Sequence, residues 1–246
     1  MRYLMVVALL MVGQTMSADA QEAQRVDLEL VLLADATGSI DDAEIRFQRQ
    51  GYAAAITDPE ILSAIAQGFD KQIAVTFIEF GDYLSQETVV PWTIIGSPES
   101  AKAFADELLA TPRKAYGRNA IGAALDTGRM AIEDNAIEGY RKVIDISADS
   151  ANNWNGPTIP EARQRALDAD ITINGLAILC RHCSGRPSGY DLEEAFSRTI
   201  IGGPASFVVT ADGDTSFTEA VRRKLLLEIA GRTPSRRERF ASNSAD

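Results

Sequence analysis

Residues 26–40 read VDLELVLLADATGSI. Up to Ala34 the stretch is dominated by Leu and Val, without the strict alternation of a strand that keeps one face in water. It therefore predicts a strand buried on both faces. The run stops at Asp35, and Thr37 and Ser39 follow at alternate positions, so in an extended turn their oxygens fall on one side of the chain. Gly38 between them lets the backbone bend tightly. Open parallel sheets bind ligands beyond the carboxyl ends of their strands, where the strand order reverses. One segment thus supplies a buried strand and, at its end, three oxygen-bearing side chains suited to a hard cation.

Working outward, residues 73–80, 143–147, 171–179 and 206–210 are comparable short apolar runs, separated by helix-like segments. Ile45, Tyr52, Ala55 and Ile56 form one apolar stripe; Ala101, Phe104 and Leu108 a second; Ile121, Ala124, Leu125 and Gly128 a third; Phe217, Val221, Leu225 and Ile229 a fourth. Ser97-Pro98 is a helix start, Thr158 with Glu161 and Ser216 with Glu219 are capping boxes, and Gly231 is a stop. Residues 88–95 are rich in β-formers but contain Pro91, which suits an antiparallel edge strand where a missing N–H faces solvent. Together these predict an α/β domain at residues 21–231: a three-layer, doubly wound, mostly parallel sheet with one antiparallel edge strand. The helix after the first strand is expected to start near Ser39.

The 246-residue chain is 46% hydrophobic and 24% charged, as a globular protein with a sizeable core requires, and its 18 glycines show no collagen-like period. Its 24 Lys and Arg against 35 Asp and Glu give a formal charge of −11, a field that opposes nucleic acid as a partner. Arg2, the apolar residues 3–12 and Ala18-Asp19-Ala20 read as a signal peptide over residues 1–20, since the run is too short to cross roughly 30 Å of hydrocarbon. The mature chain is then expected to be periplasmic or secreted, with no membrane span. Cys180 and Cys183 are expected to close a small loop disulfide in an oxidising compartment, with a redox-active pair as the alternative. Residues 232–246, rich in Arg and Ser, are expected to be a disordered tail.

Two further segments complete the site. Asp149 follows the run at 143–147, and Asn119 precedes the third stripe, so side-by-side strands bring Asp35, Thr37, Ser39, Asn119 and Asp149 to one rim. Two carboxylates about 4 Å apart at an effective dielectric of about 20 repel by about 4 kcal/mol, which a dication removes. Glu79 and Asp82 are expected near the same rim, either orienting water on the ion or serving as plain turn acids. Trp154 is either an exposed contact beside the ion or buried against a helix.

These residues resemble the von Willebrand factor type A superfamily, whose metal ion-dependent adhesion site (MIDAS) is written D-x-S-x-S, followed by a distant Thr and a distant Asp. Segments 35–40, 48–53, 90–93, 143–147, 173–178, 201–204 and 223–225 resemble more closely a bacterial branch of exported proteins carrying this domain and assigned no activity. The resemblance spans nearly all of residues 21–231. It implies a sheet sandwiched by helices, a divalent cation, usually Mg2+, and a protein partner whose Asp or Glu completes the coordination shell. Thr37 stands where the pattern has Ser, and Asn119 where it has Thr. Both keep an oxygen donor, but the longer amide shifts the fit from near-octahedral Mg2+ toward the more tolerant Ca2+, with Mn2+ a further alternative.

Enzyme motifs are incomplete. Asp35-Ala36-Thr37-Gly38 has one residue too many for an aspartic-protease loop and no second copy, and an aspartyl-phosphate enzyme needs an acid at position 37. His182 is the only histidine; Cys180, His182 and Cys183 lack a fourth zinc ligand, and Gly202-Gly203-Pro204 lacks the Lys of a phosphate loop. Three readings remain: a non-enzymatic binding module, a metal-dependent hydrolase with Glu79 or Asp149 as base, and a scaffold domain whose ion site has decayed.

Overall fold

The computed structural model describes residues 23–179, 191–211 and 214–231, with the backbone only at 214–216. The leader at 1–20, the Cys180 and Cys183 loop with His182, and the tail at 232–246 lie outside the described residues. Strand β1 (Gln24–Val26) is followed by β2 (Glu29–Asp35), then helices α1 (Asp42–Ile56) and α2 (Pro59–Ala66). Next come β3 (Ile73–Phe80), β4 (Gln86–Ile95), α3 (Pro98–Ala110), α4 (Ile121–Glu133), β5 (Ile137–Gly139) and β6 (Lys142–Ala148). The order closes with α5 (Ile159–Asp168), β7 (Thr172–Ile178), α6 (Leu192–Thr199), β8 (Val208–Ala211) and α7 (Asp214–Ile229).

The main sheet runs β4-β3-β2-β6-β7-β8 and is parallel except for β4, which pairs antiparallel to β3 at the edge. Every residue of β2 and β3 is buried, and alternate side chains serve opposite cores. Leu30, Leu32 and Ala34 pack with α1, α2, α3 and α7, whereas Val31 and Leu33 pack with α4, α5 and α6. A strand covered on both faces needs an apolar side chain at nearly every position, which is why β2 lacks a polar alternation. On β4, Val75 pairs with Thr93 and Phe77 with Val90, so Pro91 and Trp92 together oppose Thr76 in a bulge. There the proline's missing N–H leaves no ladder bond broken.

Local signals explain most boundaries. Ser97 caps α3 and Thr158 caps α5 through reciprocal side-chain bonds, and Gly231 (φ +62°) follows the end of α7. Two expected starts move. Asp41, not Ser39, caps α1, because its carboxylate takes the Ala43 and Glu44 amides while Glu44 returns a bond to the Asp41 amide. Helix α7 begins at Asp214, which puts Ser216 inside it. The expected elements did not include α2, announced by Asp58-Pro59, nor the small parallel pair β1–β5.

One face of the sheet carries a buried polar knot. Lys224 on α7 lies 2.5 Å from both Asp145 Oδ1 on β6 and Glu228 Oε1 on its own helix. Asn174 on β7 donates to the same Glu228 oxygen at 2.9 Å and accepts the Phe207 amide at 3.1 Å. The knot fastens α7 to the middle of the sheet.

Candidate metal centre

Helix α1 leaves β2 on one face of the sheet and α5 leaves β6 on the other, so the chain diverges between two neighbouring strands. Such a switch point opens a crevice at the carboxyl ends. Asp35, the last residue of β2, lies at this crevice, and Asp149 comes one residue after the end of β6. Both are buried. Asp35 Oδ1 accepts the Thr37 amide at 2.8 Å, while its buried Oδ2 has no hydrogen-bond partner. The Thr37 and Ser39 hydroxyls lie 3.1 Å apart. Burial first, and then repulsion from Asp149, push the Asp35 carboxyl up to about 7 against the bonds from Thr37 and the Asp149 backbone that hold it down.

Asn119 reaches the same rim on the loop before α4. Its Nδ2 donates to Ser150 Oγ at 2.6 Å, one residue beyond Asp149, and its buried Oδ1 has no hydrogen-bond partner. Asp35, Thr37 and Ser39 therefore form one connected group, Asp149 is close enough to Asp35 to act on its charge, and Asn119 joins through the Asp149–Ser150 loop. Ser39 is exposed. The donors are two carboxylates, two hydroxyls and an amide oxygen, the hard set preferred by Mg2+ and Ca2+. No group of three or more His, Cys, Asp or Glu side chains among the described residues is arranged to hold a metal, so an ion here would rely on the neutral oxygens.

Arg113, which the sequence did not single out, holds the first loop in shape. Its Nη2 donates to the Ala36 carbonyl and, at 3.0 Å, to that of Thr37; Nη1 donates to Ile40 O at 3.0 Å and Asp42 at 3.2 Å. The loop containing Arg113 is anchored in turn by Glu79. That acid is buried, its Oε1 accepting Arg49 Nε at 3.0 Å and its Oε2 the Lys114 amide at 2.9 Å. Both of its oxygens are thus engaged, and Glu79 sits in β3 opposite Ala34, one residue before Asp35 in the neighbouring strand, where it braces the loop that carries Arg113. Gly38 N donates to Gly117 O at 2.8 Å, and Gly117 (φ +108°) adopts a backbone conformation that favours glycine. Asp82 lies in the turn after β3 and accepts the Leu84 amide at 3.0 Å. Trp154 is exposed rather than buried against a helix, with the Arg118 guanidinium 5.1 Å from its ring centre.

The sequence matches, over residues 25–233, the family described as "Protein of unknown function (DUF1194)". The chain belongs to the DUF1194 family. No curated protein matches this DUF1194 chain. Its fold is that of the von Willebrand factor type A domains. The vWF domain of the type V pili tip protein Mfa5 from Porphyromonas gingivalis superposes with a TM-score of 0.56 at 9% identity, covering 85% of this chain and 97% of that one. The pilus adhesin SpaC from Lactobacillus rhamnosus GG gives 0.60 at 13% identity over 85% of this chain, which spans only 31% of the adhesin. Proximal thread matrix protein 1 from the mussel byssus, solved with a zinc-occupied MIDAS motif, gives 0.54 at 15% identity over 84% of the DUF1194 chain and 46% of the mussel protein. No helix among the described residues is long and apolar enough to cross a membrane.

Proposed function

We propose that the protein is an exported binding module that holds one divalent cation through Asp35, Thr37, Ser39, Asn119 and Asp149 and uses it to capture an Asp or Glu side chain of a partner protein. The observation that carries this reading is the pair of buried oxygens without hydrogen-bond partners, Asp35 Oδ2 and Asn119 Oδ1, in a crevice where Asp149 already disfavours the charge on Asp35. Buried polar atoms are rarely left unpaired, and two in one crevice point to a missing partner that accepts lone pairs. A dication does so and supplies a Lewis-acidic position for an incoming carboxylate. Asp35 and Asp149 supply negative charge, and the Thr37 and Ser39 hydroxyls and the Asn119 amide contribute neutral oxygen. Two carboxylates leave a bound dication without excess negative charge, which favours an anionic ligand. The mussel protein's zinc-occupied motif is in keeping with an ion at this place in the fold, and the pilus proteins with a role in adhesion.

Isothermal titration with Mg2+, Ca2+, Mn2+ and Zn2+, paired with melting curves, tests the reading. Binding is expected to raise the melting temperature through linkage, by about 2.7 kcal/mol of stability at a hundredfold excess over Kd, with Mg2+ the expected ion and no response in Asp35→Ala. Neither heat nor a melting shift from any of the four ions overturns it.

A further inference from the structure

Beside the proposed ion, three loops form one surface. Tyr83 N donates to Asn155 Oδ1 at 3.1 Å, Asp82 N to Tyr116 O at 3.0 Å, Tyr116 N to Ser85 Oγ at 3.0 Å, and Trp154 N to Asn119 O at 2.8 Å. The turn after β3, the loop before α4 and the loop after β6 are therefore tied together. This knitted rim exposes Tyr83 (51%), Leu84 (86%), Tyr116 (56%) and Trp154 (62%). At the opposite end of the sheet the exposed Phe69 and Tyr140 pack edge to face, centroids 5.9 Å apart, so each partly covers the other. The rim residues are held by backbone bonds and stay half or more exposed, Tyr116 with the Arg113 guanidinium 4.7 Å from its ring centre. Rigid aromatic side chains with little conformational entropy left to lose are the usual anchors of protein interfaces.

Charge narrows the partner. The chain carries a formal −11, yet Arg118, next to Asn119, is exposed and lies over the Trp154 ring at 5.1 Å. Stacking on the indole holds the guanidinium beside the crevice, where its planar fork suits a carboxylate. We infer that this rim docks an extended segment of another protein in which an Asp or Glu is flanked by apolar side chains: the carboxylate reaches the ion and Arg118, and the neighbours lie on Trp154, Tyr116, Tyr83 and Leu84. This rests on the proposed ion site and adds to it what the partner's sequence must contain around the acid.

A phage-displayed library of random dodecapeptides, panned on the full chain in Mg2+ and in EDTA, tests it. Sequences enriched only in Mg2+ are expected to share an acid next to aromatic or aliphatic residues. The best peptide is expected to bind at least tenfold more weakly to Arg118→Ala and to Trp154→Ala, while the Mg2+-induced melting shift of both variants matches the wild type. A normal melting shift with no Mg2+-dependent enrichment, or with enriched peptides lacking the acid or its apolar neighbours, overturns the inference and leaves the ion standing. No melting shift in the wild type overturns the ion and the inference with it. Self-association in sedimentation velocity that Trp154→Ala abolishes overturns it in favour of a second copy of this chain.

Discussion

At Asp35 a single carboxyl bears opposing demands. It ends a fully buried strand, where a charge is poorly solvated, and it faces a second buried acid. Asp35→Asn keeps the shape and the amide contact of that side chain while removing the repulsion. At pH 8 and without metal, the variant is expected to be more stable than wild type by about 1–3 kcal/mol, each pKa unit corresponding to about 1.4 kcal/mol. Its melting response to Mg2+ is expected to vanish; urea denaturation with and without Mg2+ measures both, and a variant less stable than wild type in the absence of metal contradicts the repulsion. Arg113 allows a second test. Four carbonyls and Asp42 converge on its guanidinium, so Arg113→Ala is expected to weaken Mg2+ affinity by about tenfold, or about 1.4 kcal/mol, with Arg113→Lys in between. The acids and hydroxyls were legible in the sequence because they sit at strand ends. Arg113 was not, since its bonds to the first loop go mostly to main-chain carbonyls more than seventy residues away, which no side-chain motif marks.

Among the elements, those with apolar runs or stripes were readable: β2, β3, β6 and β7, and α1, α3, α4 and α7. The short pair β1–β5 was not, because three residues carry no periodicity. The function of α7 was half-legible: its apolar stripe is visible, but Lys224 within it reads as a surface residue until Asp145 and Glu228 are brought against it. Lys224→Met is expected to destabilise the protein by about 3–5 kcal/mol, since it leaves two buried acids without their cation. The same knot sets a pH dependence. Burial first and Glu228 second raise the Asp145 carboxyl to about 7 against the pull of Lys224, while Tyr52 on α1, itself raised by burial, faces the group from the other helix. A folded-state value above the unfolded one means that the native chain retains a proton which the unfolded chain releases between about pH 4 and 7. This contribution to stability is present at the acid end and lost as pH rises across that window. Asp35 acts in the same direction, so Asp145→Asn is expected to reduce the fall between pH 4.5 and 7.5 without abolishing it. Urea midpoints at the two pH values report the difference; a variant with the full wild-type slope refutes the assignment.

Across the whole molecule, the buried strands and the loops at their carboxyl ends differ in how they can answer a ligand. The sheet is covered on both faces, which leaves the loops at its carboxyl ends as the parts with room to respond to a ligand. Those loops are tied to one another by main-chain bonds, Gly38 N to Gly117 O at 2.8 Å and Trp154 N to Asn119 O at 2.8 Å among them. An ion held between residues 35–39, 119 and 149 would therefore restrain three loops at once. Amide hydrogen exchange is expected to slow by at least tenfold on adding Mg2+ at residues 36–40, 113–119 and 150–156. Local openings there cost less than global unfolding, so the effect need not wait for the sheet to open. Residues 67–71 and 137–141, at the far ends of the strands, belong to openings that no ion contact restrains and are expected to keep their rates, provided those rates do not reflect global unfolding. Uniform slowing across both ends would mean that metal acts only through global stability, as an ion bound anywhere on the folded chain does by linkage. Slowing confined to the three loops places the ion among them, as expected of a site where β2 and β6 part, rather than elsewhere on the folded chain.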